Sequence, residues 1–124
     1  MSHPLQLGTT FVTALAAKDF TTVEQVLADD VDFRAMTPRR FWEMSSAKEV
    51  VADAVAVWFD EGDHIEALES MNVRPVAGDR WHLAYRLRVR NDDGTFLVEQ
   101  QAYFDCAGGR ITWLRVMCAG YVPA

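Results

Sequence analysis

Apolar positions change their spacing along the chain, and the change divides it into a helical first part and a stranded second part. Leu7, Phe11, Ala14 and Leu15 recur at helical spacing until Lys18-Asp19 ends the pattern, which predicts a first helix with one buried face. Thr21-Thr22-Val23-Glu24 is a capping-box pattern for a second helix, with Val23, Val26 and Leu27 as its stripe up to Ala28-Asp29-Asp30. From Val31 the period drops to two. Val31, Phe33 and Ala35 alternate with Asp32 and Arg34 until Thr37-Pro38 breaks the strand. Arg39 to Met44 shows no period and reads as an irregular loop whose Phe41 and Trp42 fold back over something apolar. Ser46-Ala47-Lys48-Glu49 is a second capping box, opening a third helix through Val50, Val51, Ala54, Val55, Val57, Trp58 and Phe59, with Gly62 as its stop.

The second half alternates. His64 to Val76 reads as a less regular strand, and Trp81, Leu83, Tyr85, Leu87 and Val89 then alternate with His82, Ala84, Arg86, Arg88 and Arg90. Asn91-Asp92-Asp93-Gly94 turns the chain, and Phe96, Val98, Gln100, Ala102 and Phe104 form the apolar face of the next strand. Ala107-Gly108-Gly109 turns it again into Ile111 to Ala119. Helices first and an antiparallel meander last predict an α+β fold in which helices close a curved sheet around a pocket.

Composition narrows what such a fold can do. The 124 residues make one domain, 1–124, long enough to bury a single core. No stretch approaches the roughly 20 apolar residues of a membrane span, so no membrane partner is expected. Met1-Ser2-His3-Pro4 lacks the features of a secretory signal, which makes the cytoplasm the expected location. A formal charge of -6 argues against nucleic acid and acidic substrates. Cys106 sits beside the Gly108-Gly109 turn and Cys118 lies along the returning strand, on the order of 20 Å away at ~3.4 Å per residue, so no disulfide joins them. Three scattered His and two separated Cys give no metal-ligand spacing, and no phosphate-cradling glycine loop or nucleophile elbow is present. Neither a metal nor a cofactor is expected.

The element order, with Leu27-Ala28-Asp29-Asp30-Val31-Asp32-Phe33 at its helix-to-strand passage and Tyr103-Phe104-Asp105 running through glycines to Arg110-Ile111, resembles the NTF2-like superfamily over nearly the whole chain. That superfamily includes ketosteroid isomerases and SnoaL-like polyketide cyclases. The resemblance implies a cone-shaped half-barrel, three N-terminal helices packed on a curved, mostly antiparallel sheet, with the pocket between them. It implies no chemistry by itself, because enzymes, binding modules and assembly domains share the scaffold. In the isomerases a Tyr and a protonated Asp hold an oxyanion while a second Asp moves the proton. Counting from the shared anchors, those positions fall on Phe11, Gln100 and Ala35. The base is missing, so ketosteroid isomerase activity is not expected, and the Asp-Arg-Asp trio of the superfamily's epoxide hydrolases has no convincing counterpart.

Several residues remain as candidates for the pocket wall. Gln100 lies on an apolar strand face, where its amide must find partners in protein, water or ligand; it reads either as a satisfied structural glutamine or as a donor and acceptor aimed into the pocket. It should face Val116 or Cys118 across the last hairpin. Cys118 falls where the isomerases carry a pocket-lining aromatic. It reads first as a small buried hydrophobe, since a nucleophile would need a nearby base or cation. Trp42, Trp58, Trp81 and Tyr85, with Phe11, Phe33 and Ala35, either line an aromatic cavity or are plain core, and Tyr85 is the phenol best placed to donate. Arg80, Arg86, Arg88 and Arg90 share a parity that Glu99 and Asp105 match on the next strand, which points to cross-strand ion pairs rather than a phosphate patch. Superfamily members commonly pair through this convex sheet face, so a homodimer is expected. Two functions follow: a SnoaL-like protein binding a small, largely apolar molecule, or a non-catalytic homodimeric association domain whose pocket is filled. Filling of the cone by Trp42, Trp58 and Trp81 favours the second; an open cavity with Gln100 on its wall favours the first.

Overall fold

The structure, a computed structural model, describes residues 3–124. Helix α1 spans Pro4–Ala16, with Pro4 at its first turn and His3 Nδ1 accepting the Leu5 N–H at 3.1 Å. It ends where Lys18 enters the left-handed region at φ 55°, and the Lys18 and Asp19 N–H groups return to the carbonyls of Leu15 and Ala14. Helix α2 is Phe20–Val26. Its cap is Asp19 rather than the Thr21 box: the carboxylate accepts both the Thr22 N–H at 3.2 Å and the Thr22 hydroxyl at 2.6 Å. Strand β1, Leu27–Thr37, follows with no connecting loop.

The segment expected to be a loop is a strand. Pro38 and Arg39, the latter at φ 71°, close a tight hairpin, and β2, Arg40–Met44, pairs antiparallel with β1. Trp42 turns inward opposite Ala35 while Phe41 points out, a period of two too short to stand out in the sequence. The third helix, α3, starts at the expected box, with Ser46 Oγ accepting the Glu49 N–H at 3.2 Å. It runs through Ala47–Glu49, a π-helical Val50–Val55 and Ala56–Trp58.

Strands β3 (His64–Pro75), β4 (Trp81–Asn91), β5 (Gly94–Ala107) and β6 (Arg110–Pro123) complete one open six-stranded sheet in the order β2-β1-β6-β5-β4-β3. Only β1 and β6 are parallel neighbours. The inner face presents Leu83, Leu87, Val98, Phe104, Leu114 and Phe33 to a helical layer of Leu7, Phe11, Val12, Leu15, Val50 and Val55, and these residues form one buried core. The helices close this face, and the outer face is bare of them.

Register shifts decide which side chains reach the core. β5 and β6 slip between Val98 and Gln100, where Gly120 takes φ 88°; Gly120 packs so closely that a Cβ there would come within 2.8 Å of the Pro38 ring. The extra residue returns Tyr121 to the inner side, against Phe59 and Phe96. The outer face carries arginines paired within the chain: Arg80 with Asp105, Arg86 with Glu99, Arg88 with Glu69, Arg90 with Glu66 and Arg115 with Asp32. No described helix is long and apolar enough to cross a membrane.

Candidate functional site

The inner face carries one polar row. Met71, Tyr85, Gln100 and Cys118 stand side by side across β3, β4, β5 and β6. The two middle members are buried, Gln100 at 3% exposure, while Met71 and Cys118 at the ends reach solvent in part. Tyr85 donates its hydroxyl to Gln100 Oε1. That bond occupies the acceptor end of the amide, and Gln100 Nε2 is left buried without a protein partner. Burial pushes the Tyr85 phenol well above its ordinary range, with a smaller contribution from Cys118, so it stays protonated and serves as a donor. Cys118 Sγ accepts the Gly120 N–H at 3.3 Å.

The neighbouring row is built small. Ala35, Val116 and Ala102 lie side by side, and Trp42 flanks Ala35 on β2. Trp58, near the end of α3, stands edge-on to Trp42 with ring centroids 5.7 Å apart and tilts against Phe33 at 6.1 Å. Trp42 Nε1 donates to Thr37 Oγ1 at 2.8 Å, but Trp58 Nε1 is buried and unpartnered. Phe11 is buried on the sheet-facing side of α1. Trp81 stands apart, at the start of β4, where it meets the His3 ring. The structure thus brings Tyr85, Gln100 and Cys118 into one row and Trp42, Trp58, Phe33 and Ala35 into an adjoining cluster, and it leaves Trp81 outside both.

A second polar cluster ties the element ends together. Asp63 is nearly buried and accepts from Asn91 Nδ2 at 2.9 Å and from the Tyr121 hydroxyl at 3.0 Å, and that hydroxyl also reaches the Trp58 carbonyl at 2.7 Å. Lys18 Nζ donates to the carbonyls of Asp60 and Asp63. Burial, then the Asp63 carboxylate, pushes the Tyr121 phenol upward. Reading β6 as ending at Ala119 misses Tyr121 and this cluster; Gly120, next to an aromatic in a strand, was the available signal for a bulge.

Two cavities that open on the other side of the sheet bear on this row and its neighbours. One of about 510 Å³ runs over the same four-strand row, but its walls are the outward neighbours Ser70, Asn72, Ala84, Arg86, Glu99, Gln101, Met117 and Ala119. Tyr85, Gln100 and Cys118 meet it only from the sheet floor, because side chains alternate faces along a strand. A second, of about 400 Å³, is walled by Met36, Phe41, Tyr103 and Met117 with Arg34 and Arg115 at its edge. Among the described residues no group of His, Cys, Asp and Glu is arranged to hold a metal ion.

No protein-family model matches the chain, and no curated protein matches its sequence. Solved structures do match its fold. An NTF2-like protein from Burkholderia thailandensis E264 superposes with a TM-score of 0.71 at 18% identity, covering 95% of this chain and 92% of that one. A protein from Pseudomonas putida KT2440, provisionally assigned as a polyketide cyclase, gives 0.72 at 14% identity over 94% and 91%. An LEH-like epoxide hydrolase from M. tuberculosis gives 0.67 at 16% identity over 93% and 81%. The fold is therefore NTF2-like, as the order of elements implies, and at these identities the match establishes the fold alone.

Proposed function

We propose that this chain is a small-molecule-pocket protein of the SnoaL-like type, which takes a small, largely apolar ligand on the inner face at Tyr85, Gln100 and Cys118 when the helical layer packed over them, with Trp42 and Trp58, parts to admit it. The observation that carries this reading is the Gln100 amide. A buried donor without a partner costs roughly 1–3 kcal/mol, and an apolar residue at position 100 would have avoided that cost. With Tyr85 bonded to its oxygen, the unpartnered end of the amide is its N–H, and the free Trp58 N–H is of the same kind. The site therefore favours a flat molecule that carries an acceptor oxygen. Ala35 stands where the resemblance puts an isomerase base, so isomerase proton transfer is not the reading favoured, and the Arg80–Asp105 and Arg115–Asp32 pairs lie on the outer face.

Native mass spectrometry of the freshly purified protein tests this directly. A retained small molecule in stoichiometric amount is expected. The Tyr85→Phe/Gln100→Leu pair, which removes the whole hydrogen-bonded unit, should fold with unchanged or higher stability and lose the adduct at least about tenfold. Retention of the adduct at wild-type level by that variant would sink the site assignment.

A second reading, homodimeric association through the convex sheet face, is favoured by a different observation. Met36, Phe41, Tyr103 and Met117, four exposed large apolar side chains, wall one groove on that face, and the guanidinium groups around it are already paired within the chain. An apolar strip with neutralised edges can meet a copy of itself without charge repulsion. The two readings occupy opposite faces and are compatible.

A further inference from the structure

We propose that the groove on the outer sheet face, across β2, β1 and β6, binds a medium-chain carboxylic acid, with the carboxylate at Arg34 and the hydrocarbon chain along Phe41, Met36 and Met117. The site lies on the face opposite the Tyr85 and Gln100 row and stands independently of the pocket reading. Strand register builds it from two adjoining rows. In the first, Glu43, Arg34, Arg115 and Tyr103 lie side by side across β2, β1, β6 and β5. In the second, the next outward position along each strand, Phe41, Met36, Met117 and Gln101 follow in the same strand order. A charged row thus runs directly beside an apolar one, and both contribute walls to the open cavity of about 400 Å³, a size ordinary for small-molecule sites.

The two guanidinium groups differ in how they are held. Arg34 and Arg115 are direct neighbours on β1 and β6, and like charges so placed repel. Arg115 is fixed by the Asp32 carbonyl at 3.0 Å and the Asp32 carboxylate at 3.1 Å. Arg34 is held only loosely: the Glu43 carboxylate stays 3.8 Å from its Nε, outside hydrogen-bond distance, and the Glu43 side chain is 66% exposed. A carboxylate from outside supplies Arg34 with a charge-assisted hydrogen bond and offsets its repulsion with Arg115. The net charge of -6 disfavours anions for the chain at large, and this pair of adjacent cations is the local exception. The apolar row sets the rest of the ligand. Strands lie about 4.8 Å apart, so Phe41, Met36 and Met117 span roughly 10 Å, the length of a chain of about eight carbons. All three are exposed, and the two methionines, unbranched and adaptable, suit a flexible chain.

Amide NMR titration of the full chain with sodium octanoate tests this, with 1-octanol as the uncharged probe of the same length. Octanoate should shift the amides of β1, β2 and β6 around Arg34, Phe41 and Met117 with a Kd below about 1 mM. Hexanoate should bind at least about fivefold more weakly, because it buries fewer methylenes. Arg34→Gln should weaken octanoate at least about tenfold and leave octanol within about twofold of wild type, since only the charged contact is removed. Arg88→Gln, an outer-face arginine away from the groove, should leave octanoate binding unchanged. No octanoate binding, or equal binding by wild type and Arg34→Gln, would overturn the proposal. The Tyr85→Phe/Gln100→Leu variant separates it from the pocket reading, because it should bind octanoate as the wild type does. Loss of octanoate in that variant with Arg34→Gln unaffected would move the acid to the inner face, so that the groove falls and the pocket stands. A wild type that takes no octanoate and forms a dimer dissociated by Met117→Glu would give the groove to a second copy of the chain, and the proposal falls.

Discussion

At Gln100 the two ends of one amide meet different surroundings: the oxygen is bonded to a buried phenol, the nitrogen to nothing in the protein. Tyr85 makes this arrangement pH-dependent. Its folded-state ionisation lies above the unfolded phenol value of about 10, so the protonated fold is favoured; this contribution is full below about pH 10 and is lost progressively as pH rises from there through the higher folded-state value. Tyr121 acts in the same direction. Urea denaturation at about pH 8 and about pH 11 should therefore show a loss of stability in the wild type that Tyr85→Phe reduces; identical losses would mean that the buried hydroxyl ionises freely. Gly120 is equally specific. Its φ of 88° and the Pro38 ring both oppose a side chain, so Gly120→Ala should cost about 1–3 kcal/mol by denaturant titration. A neutral result would show that the bulge relaxes.

Among the elements, α3 shows how backbone geometry sets the site. Its apolar arc is broad in the sequence because part of the helix is π-helical: over Val50–Val55 the wider turn brings Val50, Ala54 and Val55 to the buried side together. The last turn then carries Trp58 over Phe33 and Trp42. Ser46 and Glu49 anchor the start of this helix. Ser46→Ala should lower stability by roughly 0.5–2 kcal/mol, and Thr at the same place should restore most of it. No difference between Ala and Thr would mean that packing alone orients α3. β2 teaches a related lesson, since five residues with one inward Trp make a strand only when β1 lies beside them.

For the whole molecule, the proposed homodimer draws on the outer sheet face. Its ion pairs are partly exposed and contribute little each, roughly 0–1 kcal/mol, so their main effect is to cancel charge on a chain whose net charge is -6. The proposed association through this face would then rest on its apolar strip. Met117→Glu, in the middle of the strip, should convert a dimer to a monomer in light scattering, while Arg88→Gln at the periphery should leave it unchanged. A monomeric wild type at about 50 μM would remove the dimer, since standard-size interfaces hold at that concentration.

The amino-acid sequence by itself determined the order of elements, the inward and outward parity of β1, β4 and β5, and the arginine–carboxylate pairing across the outer face. These follow from periods of two and 3.6, which each stretch of chain carries locally. Only the tertiary structure decided that Gln100 faces Cys118 rather than Val116, that a bulge at Gly120 returns Tyr121 to the core, that Arg40–Met44 is a strand, and that the open grooves lie outside. Register and bulges depend on which strand lies alongside and on how its side chains pack. That information is shared between segments far apart in the chain, and no single segment contains it.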